Sequence, residues 1–342
     1  MGMRALVVSA PDTVNLREVP RPEPPAGWAR IQVARAGICA TDLAVMAGQA
    51  GVSFPVIPGH EWMGIVDAVG SEDDGEWIGR RVAGENEVSC LLCPACRSGR
   101  WRWCPHYQQI GFGRYGGSYA EYLIAPIYGL HPLSQAVSDL QGALLEPAAV
   151  ALGVLERAAL RIGETVTVIG DGPIGLNVLI VAKAMGARRI IVGGEQPVRL
   201  AMAERLGAYR VVRHPNEDLV AAVTAGHGQS DVVVEATGTE SGLQTALNLV
   251  RPEGRLVVAG FAHGGQAVIS PDRIHLPDVA VIGAGNNPGW MGRTVALVED
   301  GMLRTDHLVT HRYALAEFAD AFGTLSQRGD GLIKAVFEIN PH

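Results

Sequence analysis

The sequence predicts an α/β protein in two parts: a β-rich first third that resumes at the tail, and a doubly wound parallel sheet between them. Three observations lead there. Short apolar segments punctuated by glycine and proline run through the first 124 positions. From residue 165 onward, strand-like and helix-like segments alternate. After residue 307 short mixed elements return, ending in a strand over 332–339.

Residues 4–8 and 28–34 read as strands, separated by Pro20-Arg21-Pro22-Glu23-Pro24-Pro25. Prolines fix φ and remove donors, so such a run suits extended edges and loops. Segments 63–69, 81–83 and 118–124 continue the pattern of a small barrel or sandwich. A cysteine-rich lobe at about 88–105 interrupts it. A long Ala/Leu helix spans 144–157. Then come a buried strand at 165–169, a helix at 173–185 with Pro173 in its first turn, a strand at 189–192 and a helix at 198–206. Strands at 231–235, 255–259 and 279–283 complete a parallel sheet covered on both faces. The expected division is 1–147 with 286–342 for the β-rich domain, and 148–285 for the inserted α/β domain.

A chain of 342 residues can bury two cores. Its 48% hydrophobic content, 18% charged content and 43 glycines describe a compact protein with many tight turns. A net charge of −7 without a basic stripe argues against nucleic acid as a main partner. No apolar run reaches the roughly 18 residues that a membrane span needs. The opening Met1-Gly2-Met3-Arg4-Ala5-Leu6-Val7-Val8 reads as a strand rather than a signal peptide, so a cytoplasmic location is expected.

Four of the five cysteines, Cys90, Cys93, Cys96 and Cys104, fall in the pattern C-x₂-C-x₂-C-x₇-C. With no secretory signal, such a cluster points to a metal rather than to disulfides. Four thiolates close a tetrahedral Zn²⁺ site with no open position, which makes it structural. Iron–sulfur clusters use the same ligand type, but the full complement of four favours zinc. The fifth, Cys39, lies in Gly37-Ile38-Cys39-Ala40-Thr41-Asp42, upstream of Pro58-Gly59-His60-Glu61. Thiolate, imidazole and carboxylate are zinc-ligand types, and a catalytic zinc needs three of them plus one open position. Cys39 and His60 are two candidates; the third is either Glu61 or Glu146, the latter in Leu144-Leu145-Glu146-Pro147.

Gly170-Asp171-Gly172-Pro173-Ile174-Gly175 matches G-x-G-x-x-G directly after a strand and at the start of a helix. In that context the glycines allow a tight turn, backbone approach to a pyrophosphate and close helix–sheet packing. At the end of the next strand stand Gly194 and Glu195. An acid there selects NAD, whereas a glycine leaves room for the 2′-phosphate of NADP, with Arg199 and Arg213 as the nearest cations. Both cofactors stay open at this stage.

Together these residues resemble the zinc-dependent medium-chain alcohol dehydrogenase superfamily, in its polyol, sugar and threonine dehydrogenase branch. The likeness covers essentially the whole chain. It rests on the segments at 37–42 and 59–61, the four-cysteine lobe, Leu145-Glu146-Pro147, the glycine-rich turn, Glu235-Ala236-Thr237-Gly238 and Leu308-Val309-Thr310-His311. It implies a GroES-like catalytic domain, a Rossmann cofactor domain, an active site between them, one catalytic and one structural zinc, and a homodimer or homotetramer. By position, Thr41 would handle the proton of a secondary alcohol and Asp42 would fix the His60 imidazole. Ala236, Gly260 and Asn286 would line the cofactor site, and Lys334 would meet its pyrophosphate.

One departure is visible. Many relatives carry histidine two residues past the Thr-Asp pair as a proton relay; here that position is Ala44. This weakens a threonine dehydrogenase reading. The Gly59-His60-Glu61-Trp62 string is similar to aminocyclitol (2-deoxy-scyllo-inosamine type) dehydrogenases. The other readings of the same pattern are a biosynthetic ketone reductase, a zinc-free reductase and a non-enzymatic dinucleotide-binding protein. Cys93→Ser should remove one metal equivalent and lower the melting temperature; unchanged metal content on elemental analysis would rule the closed site out.

Overall fold

The computed structural model describes residues 2–285, 289–327 and 331–340. Residues 2–20 form an antiparallel hairpin, β1 (Gly2–Ala10) with β2 (Thr13–Pro20). The long strand β3 (Trp28–Ile38) runs into helix α1 (Ala40–Met46), with Cys39 as its N-cap. Next come β4 (Glu61–Val69), β5 (Arg81–Gly84) and the two-residue β6 (Glu87–Val88). The cysteine lobe carries α2 (Pro94–Arg97) and is followed by β7 (Gln108–Gln109), which pairs with β6. β8 (Tyr122–Pro126), β9 (Leu130–Pro132), α3 (Asp139–Ala143) and α4 (Leu145–Arg157) lead out.

The inserted unit then alternates: β10 (Thr165–Ile169), α5 (Pro173–Ala184), β11 (Arg189–Gly194), α6 (Pro197–Leu206), β12 (Arg210–Arg213), α7 (Leu219–His227), β13 (Ser230–Glu235), α8 (Glu240–Leu249), β14 (Val250–Val258), α9 (Asp272–His275) and β15 (Ala280–Gly283). The tail contributes α10 (Met291–Glu299), β16 (Val309–Ala314), α11 (Phe318–Gln327) and β17 (Lys334–Glu338). No helix among the described residues is long and apolar enough to cross a membrane.

Two compact units result. One is Met1–Glu146 with Met291–Gly301 and Val309–His342; the other is Pro147–Trp290 with Met302–Leu308. The switch back to the first unit therefore falls at 291 rather than the expected 286, because α10 belongs to the first unit, where Glu299 accepts the Ser134 amide at 3.0 Å. Residues 302–308, expected with the tail, group with the second unit.

In the first unit seven strands form one sheet in the order β16-β17-β3-β4-β5-β9, with β8 also paired to β3. The tail thus completes the sheet that β3 began: β17 lies antiparallel to β3, with Ala335 opposite Ile38. Leu6, Ile31, Tyr119 and Phe337 have no exposed surface, and the two rings meet edge-on at 5.0 Å. Each such side chain contributes about 1.5–3 kcal/mol through apolar burial. The core places the ends of β3, β4 and β17 side by side, which is what positions the site described below.

In the second unit six parallel strands follow the order β12-β11-β10-β13-β14-β15. This is the 3-2-1-4-5-6 order of a doubly wound sheet, with its switch point beside β10. Val166, Val168, Val232, Val233 and Val234 are fully buried, as expected for strands covered on both faces. The opposite end of this sheet is tied by Asp231, which accepts the Thr165 amide at 2.8 Å and Arg251 Nε at 2.7 Å. Burial alone would raise the Asp231 pKa; the Thr165 amide and the Arg251 guanidinium outweigh it and lower it. A depressed carboxylate pKa adds stability that is present above the unfolded value and lost as the pH falls through the folded one. Asp231→Asn should therefore cost about 1–2 kcal/mol at pH 7, less the screening at a partly exposed site. In urea melts, the gap between mutant and parent should begin to narrow near the ordinary carboxylate value of about 4 and close once the pH is below the lowered folded value; a gap that stays constant through that range would remove the charge from the explanation.

Candidate metal and dinucleotide sites

The first candidate site sits where β3 ends and β4 begins. Antiparallel register sets Gly37 opposite Glu61. A Cβ on Gly37 would come within 1.9 Å of Glu61 Oε2, so only glycine lets that carboxylate tuck against β3. Cys39 follows immediately and His60 precedes immediately. One donor atom each from Cys39, His60 and Glu61 lies within 4.8 Å of the others, and His60 and Glu61 are buried.

Asp42, with no exposed surface, holds this group in place. Its Oδ2 accepts the Cys39 amide at 3.0 Å and the Tyr119 hydroxyl, and its Oδ1 faces His60 Nδ1 at 3.2 Å. Burial raises the Asp42 pKa, but His60, Tyr119 and the Cys39 amide together pull it below the ordinary range. Burial likewise opposes charge on His60; Asp42 overcomes it and carries the pKa well above the usual value. Because Asp42 takes Nδ1, Nε2 is the nitrogen left for a metal. Thr41, in the first turn of α1, has its hydroxyl 3.5 Å from Cys39 Sγ. Ala44 is buried at 6% exposure.

Of the two candidate carboxylates, Glu61 belongs to the tight donor group and Glu146 does not. Glu146, in the first turn of α4, is pushed up to about 8, first by removal from water and then by Glu61 and Glu87 nearby. Lys334, expected near the pyrophosphate, is 3% exposed, and its ammonium lies 2.6 Å from both Glu61 oxygens. It is in line for a hydrogen bond with Oε1, while the buried Oε2 accepts none. The pairing of β17 with β3 brings it there, a consequence of topology that the sequence around residue 334 does not display. The donor set, one thiol, one oriented imidazole and one buried carboxylate with an unused oxygen, fits Zn²⁺.

The second candidate site is local. Cys90, Cys93, Cys96 and Cys104 bring all four Sγ atoms within 4.8 Å, with no disulfide among them. Backbone amides point at the sulfurs: Cys93 at Cys90, Cys96 at Cys93 and His106 at Cys104, at 3.3–3.4 Å. Such amides stabilise thiolates, and those of Leu92 and Cys93 draw Cys90 down to about 6. Burial and the neighbouring thiols push Cys96 up to about 12. Four soft donors at this spacing fit a closed tetrahedral zinc.

In the second unit, Gly170 leaves β10 with φ +116°, and α5 begins at Pro173 with Gly172 as N-cap and no side-chain cap. A Cβ on Gly175 would reach Gly170 O at 1.9 Å, while the space over Gly172 is open. This uncapped helix start, with Ile174 in its first turn, fits a pyrophosphate. Glu235, 1% exposed, accepts the amides of Thr237 and Gly238 and the Thr237 hydroxyl, holding the loop after β13 against Gly170. Ala236 lies in that loop, and the Gly260 amide donates to Glu235 O at 2.9 Å. Gly170, Ala236 and Gly260 are thus brought together at the carboxyl ends of adjacent strands. Gly194 ends β11, Glu195 is exposed and Arg199 lies in α6. Asn286 lies outside the described residues.

Tyr119 had no signal in the sequence, and Asp171 was only a filler between glycines. The structure makes the first a partner of Asp42 and gives the second the amides of Glu195 and Gln196.

The two donor sets and the glycine-rich turn on a doubly wound sheet define a metal-dependent, dinucleotide-linked oxidoreductase. Residues 25–135 match the alcohol dehydrogenase GroES-like domain, and residues 173–289 match the zinc-binding dehydrogenase domain. The chain is 33% identical over 338 residues to erythritol/L-threitol dehydrogenase of Mycolicibacterium smegmatis, covering 92% of each. It is 31% identical over 327 residues to sorbitol dehydrogenase of Bacillus subtilis, covering 94% of this chain and 92% of that one. A zinc-binding dehydrogenase from Sinorhizobium meliloti bound to NADP superposes with a TM-score of 0.93 at 29% identity over 99% of both chains. The chain belongs to the zinc-binding alcohol dehydrogenase family, in its polyol dehydrogenase branch. It is an NAD(P)-dependent alcohol dehydrogenase.

Tyr119→Phe should lower zinc affinity about 10–100-fold, because Asp42 loses a donor and His60 its fixed orientation. Competition with a fluorescent chelator reads this directly, and an unchanged affinity would confine Tyr119 to packing.

Proposed function

We propose that this enzyme oxidises a secondary hydroxyl of a polyol, sugar, cyclitol or aminocyclitol-like substrate to the ketone, with hydride passing to NAD or NADP. The observation that carries the reading is the partition of the five cysteines. Four form one closed donor set, and the fifth stands with a buried histidine and a buried carboxylate. Four protein donors leave no place for substrate; three leave one. The substrate class is supported by the relatives that act on erythritol, threitol and sorbitol.

Two zinc ions belong to the proposal, one structural on Cys90, Cys93, Cys96 and Cys104, one catalytic on Cys39, His60 and a carboxylate. Glu61 is the nearer carboxylate and Glu146 the alternative. When bound, the catalytic zinc supplies a Lewis acid for the substrate oxygen and the nicotinamide supplies the hydride acceptor. The chain's own residues do the rest. Thr41 accepts the hydrogen bond of the substrate hydroxyl and relays its proton, releasing its own hydroxyl proton as it receives the substrate's. Asp42 keeps His60 in one tautomer through the cycle. Lys334 balances the charge of Glu61, so that the donor set does not gather uncompensated negative charge in a buried place. Gly170, Gly172 and Gly175 bring backbone amides to the pyrophosphate. Ala44 has no group to carry the proton from Thr41 onward, so water does.

The reading carries a homodimer or homotetramer in the cytoplasm that acts on a small molecule, with neither nucleic acid nor membrane as partner. Ketone reduction uses the same groups; initial rates in both directions at physiological pH separate a biosynthetic reductase from a catabolic dehydrogenase. A panel of secondary alcohols and polyols with each dinucleotide, followed by nicotinamide absorbance, tests the proposal as a whole. Cys39→Ser and His60→Ala should each reduce turnover more than about 10³-fold, the scale of a lost catalytic group, while calorimetry shows dinucleotide binding within about twofold of the parent. Full activity in either mutant would sink the assignment.

A further inference from the structure

We infer that Asp171 is the residue that sets the cofactor preference of this enzyme, that it favours NAD over NADP, and that it does so from the glycine-rich turn rather than from the end of β11. The inference rests on the dinucleotide-binding reading above and concerns only the adenosine end of that site.

In a doubly wound dinucleotide fold, the acid that meets the ribose hydroxyls stands at the end of the second strand, about twenty residues past the turn. Here that strand ends in Gly194, which has no side chain to offer. The space is filled from the opposite side. A Cβ built on Gly194 would lie 2.4 Å from both Cβ and Cγ of Asp171, and 2.5 Å from its Oδ2. The carboxylate of Asp171 therefore stands where the strand-end acid's own side chain would begin. Glycine at 194 and a carboxylate at 171 are two halves of one arrangement, because any larger residue at 194 would displace Asp171.

The carboxylate is also fixed. Asp171 is 7% exposed, and its Oδ2 accepts the amides of Glu195 at 2.9 Å and Gln196 at 2.7 Å. Those amides belong to the two residues just before the ten-residue helix α6, whose N-cap Gln196 makes no side-chain cap hydrogen bond. They are the donors that a 2′-phosphate would need at this helix start, and an anion of the protein already holds them. A ribose 2′-hydroxyl can donate to the remaining oxygen, Oδ1, whereas a phosphate brings negative charge against negative charge. Glu195, whose amide Asp171 takes, has an exposed side chain and does not fill the same space. Arg213, exposed and in register with Gly194 on β12, is the cation that would be left to attract a 2′-phosphate once the Asp171 charge is removed.

The test is direct titration of the purified, zinc-loaded enzyme with NADH and NADPH, read by calorimetry without substrate. The parent should bind NADH at least about tenfold tighter, the scale of one lost charge-assisted contact. Asp171→Asn keeps an oxygen for the two amides and removes only the charge. It should narrow the ratio about tenfold or more, mostly through tighter NADPH binding, with its melting temperature close to the parent's. Asp171→Ser, which also frees the amides, should shift the ratio further. A parent that prefers NADPH, or an Asp171→Asn ratio equal to the parent's, overturns the inference while leaving the dehydrogenase reading intact. Failure of the parent to bind either dinucleotide overturns both.

Discussion

A carboxylate with no exposed surface has to be answered by donors, and Asp42 is answered by three: the amide of Cys39, the imidazole of His60 and the hydroxyl of Tyr119. Leaving any of them out would strand charge in a place water does not reach. The three donors come from the start of α1, the residue before β4 and the segment before β8. Satisfying one side chain therefore draws three separate stretches of the first unit to a common point. Cys39 and His60 become neighbours as a by-product of that constraint. The same logic recurs in the second unit, where buried Glu235 gathers the loop after β13 against the glycine-rich turn.

What could be read in advance was what is local along the chain. The four cysteines, the glycine-rich turn, the strand–helix alternation and the Cys39 and His60 segments each announce themselves within a few residues, because their chemistry depends on short spacing. Both domain types followed from that. What could not be read depends on contacts far apart in sequence. Tyr119 is 77 positions from Asp42, and Lys334 is 273 positions from Glu61. No local pattern marks an aromatic residue as a partner of a distant acid, or a lysine at the head of a strand as a buried counter-ion. Strand β2 escaped for a simpler reason: Asn15, Arg17 and Glu18 interrupt its apolar residues, and as half of a two-stranded ribbon it needs to bury little. Asp171 lay in plain view but inside a motif whose intervening positions ordinarily carry no chemistry.

Lys334 has a neighbour that the family resemblance did not name. A basic side chain near the end of the chain is expected at the cofactor; the structure pairs it with Glu61, one of the candidate metal donors. The placement changes the electrostatics of the candidate centre. With thiolate, carboxylate and a second carboxylate at Glu146 close by, a buried ammonium keeps the group from being uniformly acidic.

The wide span between Glu61 and Lys334 also bears on the order in which the protein is built. The four-cysteine donor set spans only fifteen residues and can close without the rest of the chain. The other centre cannot mature so early. Its carboxylate has no counter-charge until the strand that carries Lys334 has docked beside β3. The two donor sets therefore differ in what each must wait for: one is complete within fifteen residues, the other only after distant stretches of the chain have met.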